Sequence, residues 1–101
     1  MLKKKYFKTK DECEVTFEYA TDAAETVVLV SEVNDWQPVE MKKRKKDGIY
    51  FTKVRLPKGG QFQYLYLVDG QDWVTDSSAD AYLPNEYGGQ NGIVDTTPSA
   101  S

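Results

Sequence analysis

Trp36 and Trp73 are the side chains best suited to recognition chemistry in this sequence, and each stands beside a turn signal. Trp36 directly follows Asn34-Asp35 and precedes Pro38; Trp73 comes shortly after Asp69-Gly70. A tryptophan in a turn is harder to bury than one in mid-strand. Two such rings beside an apolar strip predict a flat ligand platform, against the plainer reading that both cap the ends of a core. Catalytic groups are scarcer. There is no histidine, which removes His general bases, catalytic triads and His-containing zinc sites. Asp69, Asp72, Asp76 and Asp80 invite a calcium-loop reading, but their spacing lacks the alternating ligands of an EF-hand, so turn-forming roles are expected. No feature picks out a carboxylate pair for glycoside hydrolysis. Cys13 falls on the apolar face of an alternating segment and is expected to be a buried core thiol. The expectation is therefore no catalytic residue, no metal and no cofactor.

The elements that must position these side chains are strands. Cys13, Val15, Phe17 and Tyr19 alternate with Glu12, Glu14, Thr16 and Glu18, the period of a half-buried strand. Residues 26–30 form a β-branched run. Segments 41–46 and 49–56 flank Asp47-Gly48, a hairpin signal. After the break at residues 57–60, Phe62, Tyr64, Tyr66 and Val68 line one face of a strand. Gln61, Gln63, Leu65 and Leu67 line the other, which turns two leucines outward. Residues 75–90 are polar and aperiodic and are expected to form an irregular loop, and 91–95 a last short strand. No window supports an amphipathic helix; residues 20–25 allow one turn at most. The expected fold is all-β, a single sandwich of about seven short strands over residues 1–95, with 96–101 a flexible tail.

Composition agrees with one globular domain of 101 residues, too short for two cores. All 13 Lys and Arg lie in residues 1–58 with 10 of the 16 Asp and Glu, which leaves that part at +3 and residues 59–101 at −6. The run Lys42-Lys43-Arg44-Lys45-Lys46 raises nucleic-acid or anionic-membrane binding. A sequence pI near 4.9 and the distance of the run from the tryptophans argue against both, and a solvated hairpin edge is expected instead. No stretch reaches the roughly 18 to 20 apolar residues of a membrane span. The basic start lacks the apolar stretch of a secretory signal, and a single Cys suits a reducing compartment, so a cytoplasmic setting is expected.

Three blocks of residues, in order, resemble family 48 carbohydrate-binding modules. The first is Val30-Ser31-Glu32-Val33-Asn34-Asp35-Trp36 with Pro38 and Met41, similar to the family's G-x-F-N-x-W turn. The second runs from Leu56-Pro57 through Gln63-Tyr64-Leu65-Tyr66-Leu67-Val68-Asp69-Gly70 to Trp73, Asp76 and Ala79. The third is Gly88-Gly89-Gln90-Asn91-Gly92-Ile93-Val94. Together they cover about residues 13–95. The family includes the glycogen-binding domain of the AMP-activated kinase β subunit and the early-set domains of isoamylases and branching enzymes. The resemblance implies an immunoglobulin-like, early-set sandwich that binds α-1,4-glucan on one face without catalysis, with a glucan-metabolising enzyme as a further partner. Residue by residue, the sugar-stacking tryptophans match Trp36 and Trp73, the hydrogen-bonding Asn matches Asn91, and the loop residue that inserts into the curved glucan matches Tyr87. Leu65 stands where the family has a sugar-contacting Lys, Ser31 where it has Gly, and Val33 where it has Phe.

The residue types suit that ligand. A pyranose has an apolar C–H face, and half-burying two indoles against such faces contributes on the order of 2–3 kcal/mol. An Asn amide offers donor and acceptor to adjacent hydroxyls, each bond a net ~0.5–1.5 kcal/mol. The second reading is a protein-interaction or structural early-set domain that has lost the sugar face, with Leu65, Leu67 and Tyr87 as an apolar docking patch.

Overall fold

The computed structural model of the chain describes residues 2–21, 24–86 and 88–97. Among these the fold is all-β: two antiparallel sheets packed face to face, with a single 3-10 turn. The strands are β1 (Leu2–Tyr6), β2 (Glu12–Tyr19), β3 (Val27–Ser31), β4 (Val39–Glu40), β5 (Lys42–Lys43), β6 (Tyr50–Pro57), β7 (Gln61–Val68), β8 (Asp72–Val74), β9 (Ala81–Pro84) and β10 (Gln90–Asp95). Sheet A has the order β1-β2-β6-β5. Sheet B has the order β4-β3-β7-β10-β9, with β8 also on β7.

The sandwich is the one the alternation predicts, but the strands number ten rather than seven. Basic residues 2–6 form an edge strand on β2, with Lys3 and Lys5 outward. The expected strand over 41–46 is shorter and broken. Met41 turns its side chain into the core at 3% exposure, its N–H bonds Val27 O, and the chain crosses there from sheet B to sheet A. Residues 75–90 are not wholly irregular: Ala81–Pro84 pair with β10 as an edge strand. All four of these residues are exposed, so no burial period marked them. Thr96, placed in the expected tail, is fully buried; its Oγ1 donates to Pro57 O at 2.6 Å and accepts the Gly60 N–H. Residues 98–101 lie outside the described residues.

The core lies where β2 and β7 face each other. Cys13, Val15 and Phe17 meet Tyr64, Tyr66, Leu29 and Val94. Phe17 packs edge-on against Tyr64 with ring centroids 5.0 Å apart. Cys13 is a buried free thiol, pushed up from its ordinary pKa chiefly by burial. Two phenols in an apolar core need acceptors. Asp76, itself 5% exposed, supplies them: Oδ2 accepts from Tyr64 at 2.8 Å and from Tyr66 at 3.2 Å, while Oδ1 accepts the Ser78 N–H. Burial first, and then the Tyr66 phenol and Asp76 for Tyr64 and the Asp76 carboxylate for Tyr66, hold both tyrosines far above the ordinary phenol range, so they remain donors. Gly92 lies opposite Tyr64, and a Cβ there would stand 3.2 Å from the ring and from Ala79 Cβ. Asp69-Gly70 turns with both residues at positive φ, 52° and 68°, closed by Gln71 N–H to Val68 O, the tight hairpin its sequence predicts.

Asp76→Ala takes the acceptor from the buried Tyr64 hydroxyl, at about 1–3 kcal/mol, and leaves Tyr66 only its long bond to Glu18 O at 3.4 Å, a smaller loss. Thermal unfolding should show a midpoint lowered by more than about 10 °C, and Asp76→Asn should recover much of it. In the β5–β6 hairpin the Arg44 guanidinium, bonded to both Asp47 oxygens, holds that carboxyl down to about 2, against an ordinary 3.8. The folded pKa lies below the unfolded one, so the pair's contribution is complete above the ordinary value and is lost as pH falls through about 2. An NMR pH titration should find that midpoint, returning toward 3.8 in Arg44→Gln.

Candidate functional site

β7 has two edges. β3 takes one along Tyr64–Val68, so β10, paired with residues 61–64, and β8, paired with 66–68, share the other in line. Residues directly opposite one another share a face. Tyr64 and Tyr66 point inward, so Leu65 and Leu67 point out, as the alternation predicts. Leu67 lies between Val28 and Trp73, and Leu65 lies beside Val30. One register step beyond Gly92–Tyr64 brings Asn91 to the level of Leu65. Trp73 and Asn91 are thus neighbours on one outward face, their backbones about 7 Å apart along the β7 edge. Thr75 Oγ1 to Gln90 O, at 2.5 Å, joins the end of β8 to the start of β10 between them.

Both indoles are outside the core. Trp73 is 60% exposed and Trp36 43%. Trp36 follows the 3-10 turn Glu32–Asn34, which Ser31 caps by accepting the Val33 N–H. Asp35 and Trp36 take positive φ of 51° and 60°, and the Trp36 N–H bonds Ser31 O at 2.9 Å. Ser31 lies three residues along β3 from Val28 and two strands across from Trp73, which puts the end of β3, to which Trp36 is bonded, roughly 14 Å from the Trp73 backbone. Tyr87, the fifth expected site residue, lies outside the described residues.

Asn91 is held in a row of amides that the sequence did not reveal. Asn85 Nδ2 donates to Asn91 Oδ1 at 3.1 Å, Asn91 Nδ2 donates to Gln63 Oε1 at 2.9 Å, and Gln63 Nε2 donates to Glu32 Oε2 at 3.1 Å. All donors point the same way, toward the carboxylate, so the bonds polarise one another. The Asn91 and Gln63 amides each have a second N–H and a second lone pair for a ligand. Gln63 could have been found from its place two residues before Leu65 on the outward face. Asn85 could not, because nothing marked β9 as a strand.

The four aspartates disperse rather than converge. Asp69 Oδ1 accepts the Glu25 and Thr26 N–H groups, Asp72 is exposed at the start of β8, Asp76 is the core acceptor, and Asp80 Oδ2 meets Lys4 and the Asp95 N–H. Among the described residues no three His, Cys, Asp or Glu side chains are grouped as a metal site requires. Nor is any helix among them long and apolar enough to cross a membrane.

No protein-family model matches the sequence, and no curated protein matches it. Among solved structures the fold is similar to enterobactin esterase FES from Shigella flexneri, in its structures with 2,3-dihydroxy-N-benzoyl-serine and 2,3-dihydroxy-N-benzoyl-glycine. The TM-score is 0.76 for each, at 11% and 12% identity. Each match covers 97% of this chain but only 33% or 34% of the esterase, so the chain spans about a third of that protein. At this identity the likeness shows the fold alone.

Because Trp73 is mostly exposed, Trp73→Ala should change unfolding free energy by no more than about 0.5–1 kcal/mol in urea titration. A loss of several kcal/mol would mark it as a cap on the core.

Proposed function

We propose that the outward face of sheet B is a non-catalytic binding surface for α-1,4-glucan, as in glycogen, starch or maltooligosaccharides. The observation that carries this reading is the exposed Trp73 beside Leu67, Leu65 and the amide row of Asn91 on one face. Trp73 offers an apolar plate for a pyranose, Asn91 and Gln63 offer donors and acceptors for the hydroxyl rim, and Trp36, exposed beside the end of β3, offers a second indole. Leu65 gives this face apolar area where the resembled family has a cation. A shallow site of this kind favours a dissociation constant between about 1 mM and 1 μM. A cytoplasmic setting and a glucan-metabolising enzyme as partner belong to the same reading, and the buried free thiol of Cys13 suits the former.

A second reading, a protein-interaction domain, draws on the apolar strip of Leu65, Leu67 and the exposed Leu83, and on the match to one third of a longer enzyme. Titration with maltoheptaose or β-cyclodextrin separates the two. Under the first, tryptophan fluorescence and amide shifts at Trp73, Asn91 and Gln63 saturate, and Trp73→Ala weakens binding at least about tenfold, the ~1.4 kcal/mol of one half-buried indole. A flat titration to high millimolar sugar sinks the first and leaves the second.

A further inference from the structure

The chain crosses from sheet B to sheet A through β4, Met41 and β5, and that crossing closes only half of one side of the sandwich. β4 covers Val28 and Leu29, and β5 covers Tyr50 and Phe51. Beyond Phe51, β6 has no partner on that edge among the described residues, although β2 pairs with its whole length on the other. The gap opens into a cleft of about 360 Å³ between the sheets, lined by the apolar side chains of Phe17, Leu29, Val33, Val39, Val54 and Leu56. Val33, at its mouth, is 37% exposed.

Backbone parity shows what this edge offers. Arg44 N–H bonds Ile49 O, so in the β5–β6 register it is Phe51, and with it Lys53 and Arg55, whose N–H and C=O groups face the β5 side. Lys58 N–H to Asp11 O gives the same parity from the other edge. Pro57 ends the open stretch: it has no N–H, and its carbonyl accepts from Thr96. Lys53 and Arg55 therefore present two donors and two acceptors in strand geometry, with no backbone partner among the described residues.

We propose that this open β6 edge docks an extended segment of a partner protein, added as a strand of alternating acidic and apolar residues. Side-chain rows fix the chemistry. Lys53 and Arg55 are exposed on the outer face, so a strand laid beside them meets two cations there, while its alternate residues lie over Val54, Leu56 and the cleft. A second copy pairing edge to edge would set Lys53 and Arg55 against their own kind, which opposes self-association. The filled edge already displays the accepted pattern. β2 places Glu14 opposite Arg55 and Thr16 opposite Lys53 on the outer face, with Cys13, Val15 and Phe17 inward.

The test is an NMR titration of the whole chain with the heptapeptide acetyl-Glu-Val-Glu-Val-Glu-Val-Glu-amide, and with the same peptide carrying Lys for Glu. The acidic peptide should give saturable shifts at Val33, Val39 and Val54, slow the amide exchange of Lys53 and Arg55, and bind at least about fivefold more tightly than the basic one, as expected for opposed against like cross-strand charges. Arg55→Glu should reduce or reverse that preference, and Lys53→Glu serves the same purpose should the first variant fail to fold. Equal affinity for the two peptides overturns the proposal. So does an absence of saturation at millimolar acidic peptide, or shifts that spare Lys53 and Arg55. Binding at this edge is independent of the sugar face, so maltoheptaose shifts at Trp73 should be unchanged by the peptide.

Discussion

Two tyrosine hydroxyls meet one buried carboxylate in the core, and the rest of the structure is arranged around the strand that carries them. Tyr64 and Tyr66 both donate to Asp76, which sits two residues beyond β8, so the contact ties β7 to the segment leaving its own hairpin. A slip of β7 by one residue would take both phenols from their acceptor and put leucines in the core in their place. Because β7 also pairs with β3, β8 and β10, its register decides what sheet B shows to solvent. Trp73 stands beside Leu67, and Asn91 beside Leu65, as a consequence of that single choice.

The two outer faces that result differ in kind. Sheet A is laced with charge: Lys3, Lys5, Lys53 and Arg55 alternate in rows with Glu12, Glu14 and Glu18, and Arg44 bridges Glu18 and Asp47. Sheet B shows aliphatic side chains, an indole and neutral amides, with Glu32 closing the row. Screened surface charges contribute little to stability individually, and the apolar plate with amides at its rim is the more specific feature. The same asymmetry leaves the side of the sandwich at β6 half open, since the crossing through Met41 is shorter than the strands it joins.

Much of this was legible in the order of residues, for identifiable reasons. The period of two in β2 and β7 placed Cys13, Val15, Phe17, Tyr64 and Tyr66 inside, because one face of each strand is buried and burial is what the pattern records. Asp69-Gly70 announced its hairpin through the positive φ it needs. β9, exposed throughout, left no such record, and β1 carries a weak one because Lys4 stands between Leu2 and Tyr6 on its inner face. β4 was hidden by the bend at Met41, which also cuts the expected strand over 41–46 down to Lys42–Lys43. At the site, the exposure of Trp36 followed from its turn and that of Trp73 comes from its outward place on β8, whereas the adjacency of Trp73 and Asn91 depends on two strands sharing one edge of β7, a long-range fact no local pattern contains. Several residues that carried the family resemblance, among them Asp76, Gly92 and Asp69, proved to build the sandwich rather than its face.

A crystal structure of the chain grown with β-cyclodextrin tests the central claim most directly. The account predicts sugar density over the Trp73 ring, with pyranose hydroxyls within hydrogen-bonding distance of the Asn91 and Gln63 amides. Sugar bound elsewhere, or a bare Trp73 face at saturating β-cyclodextrin, would contradict it.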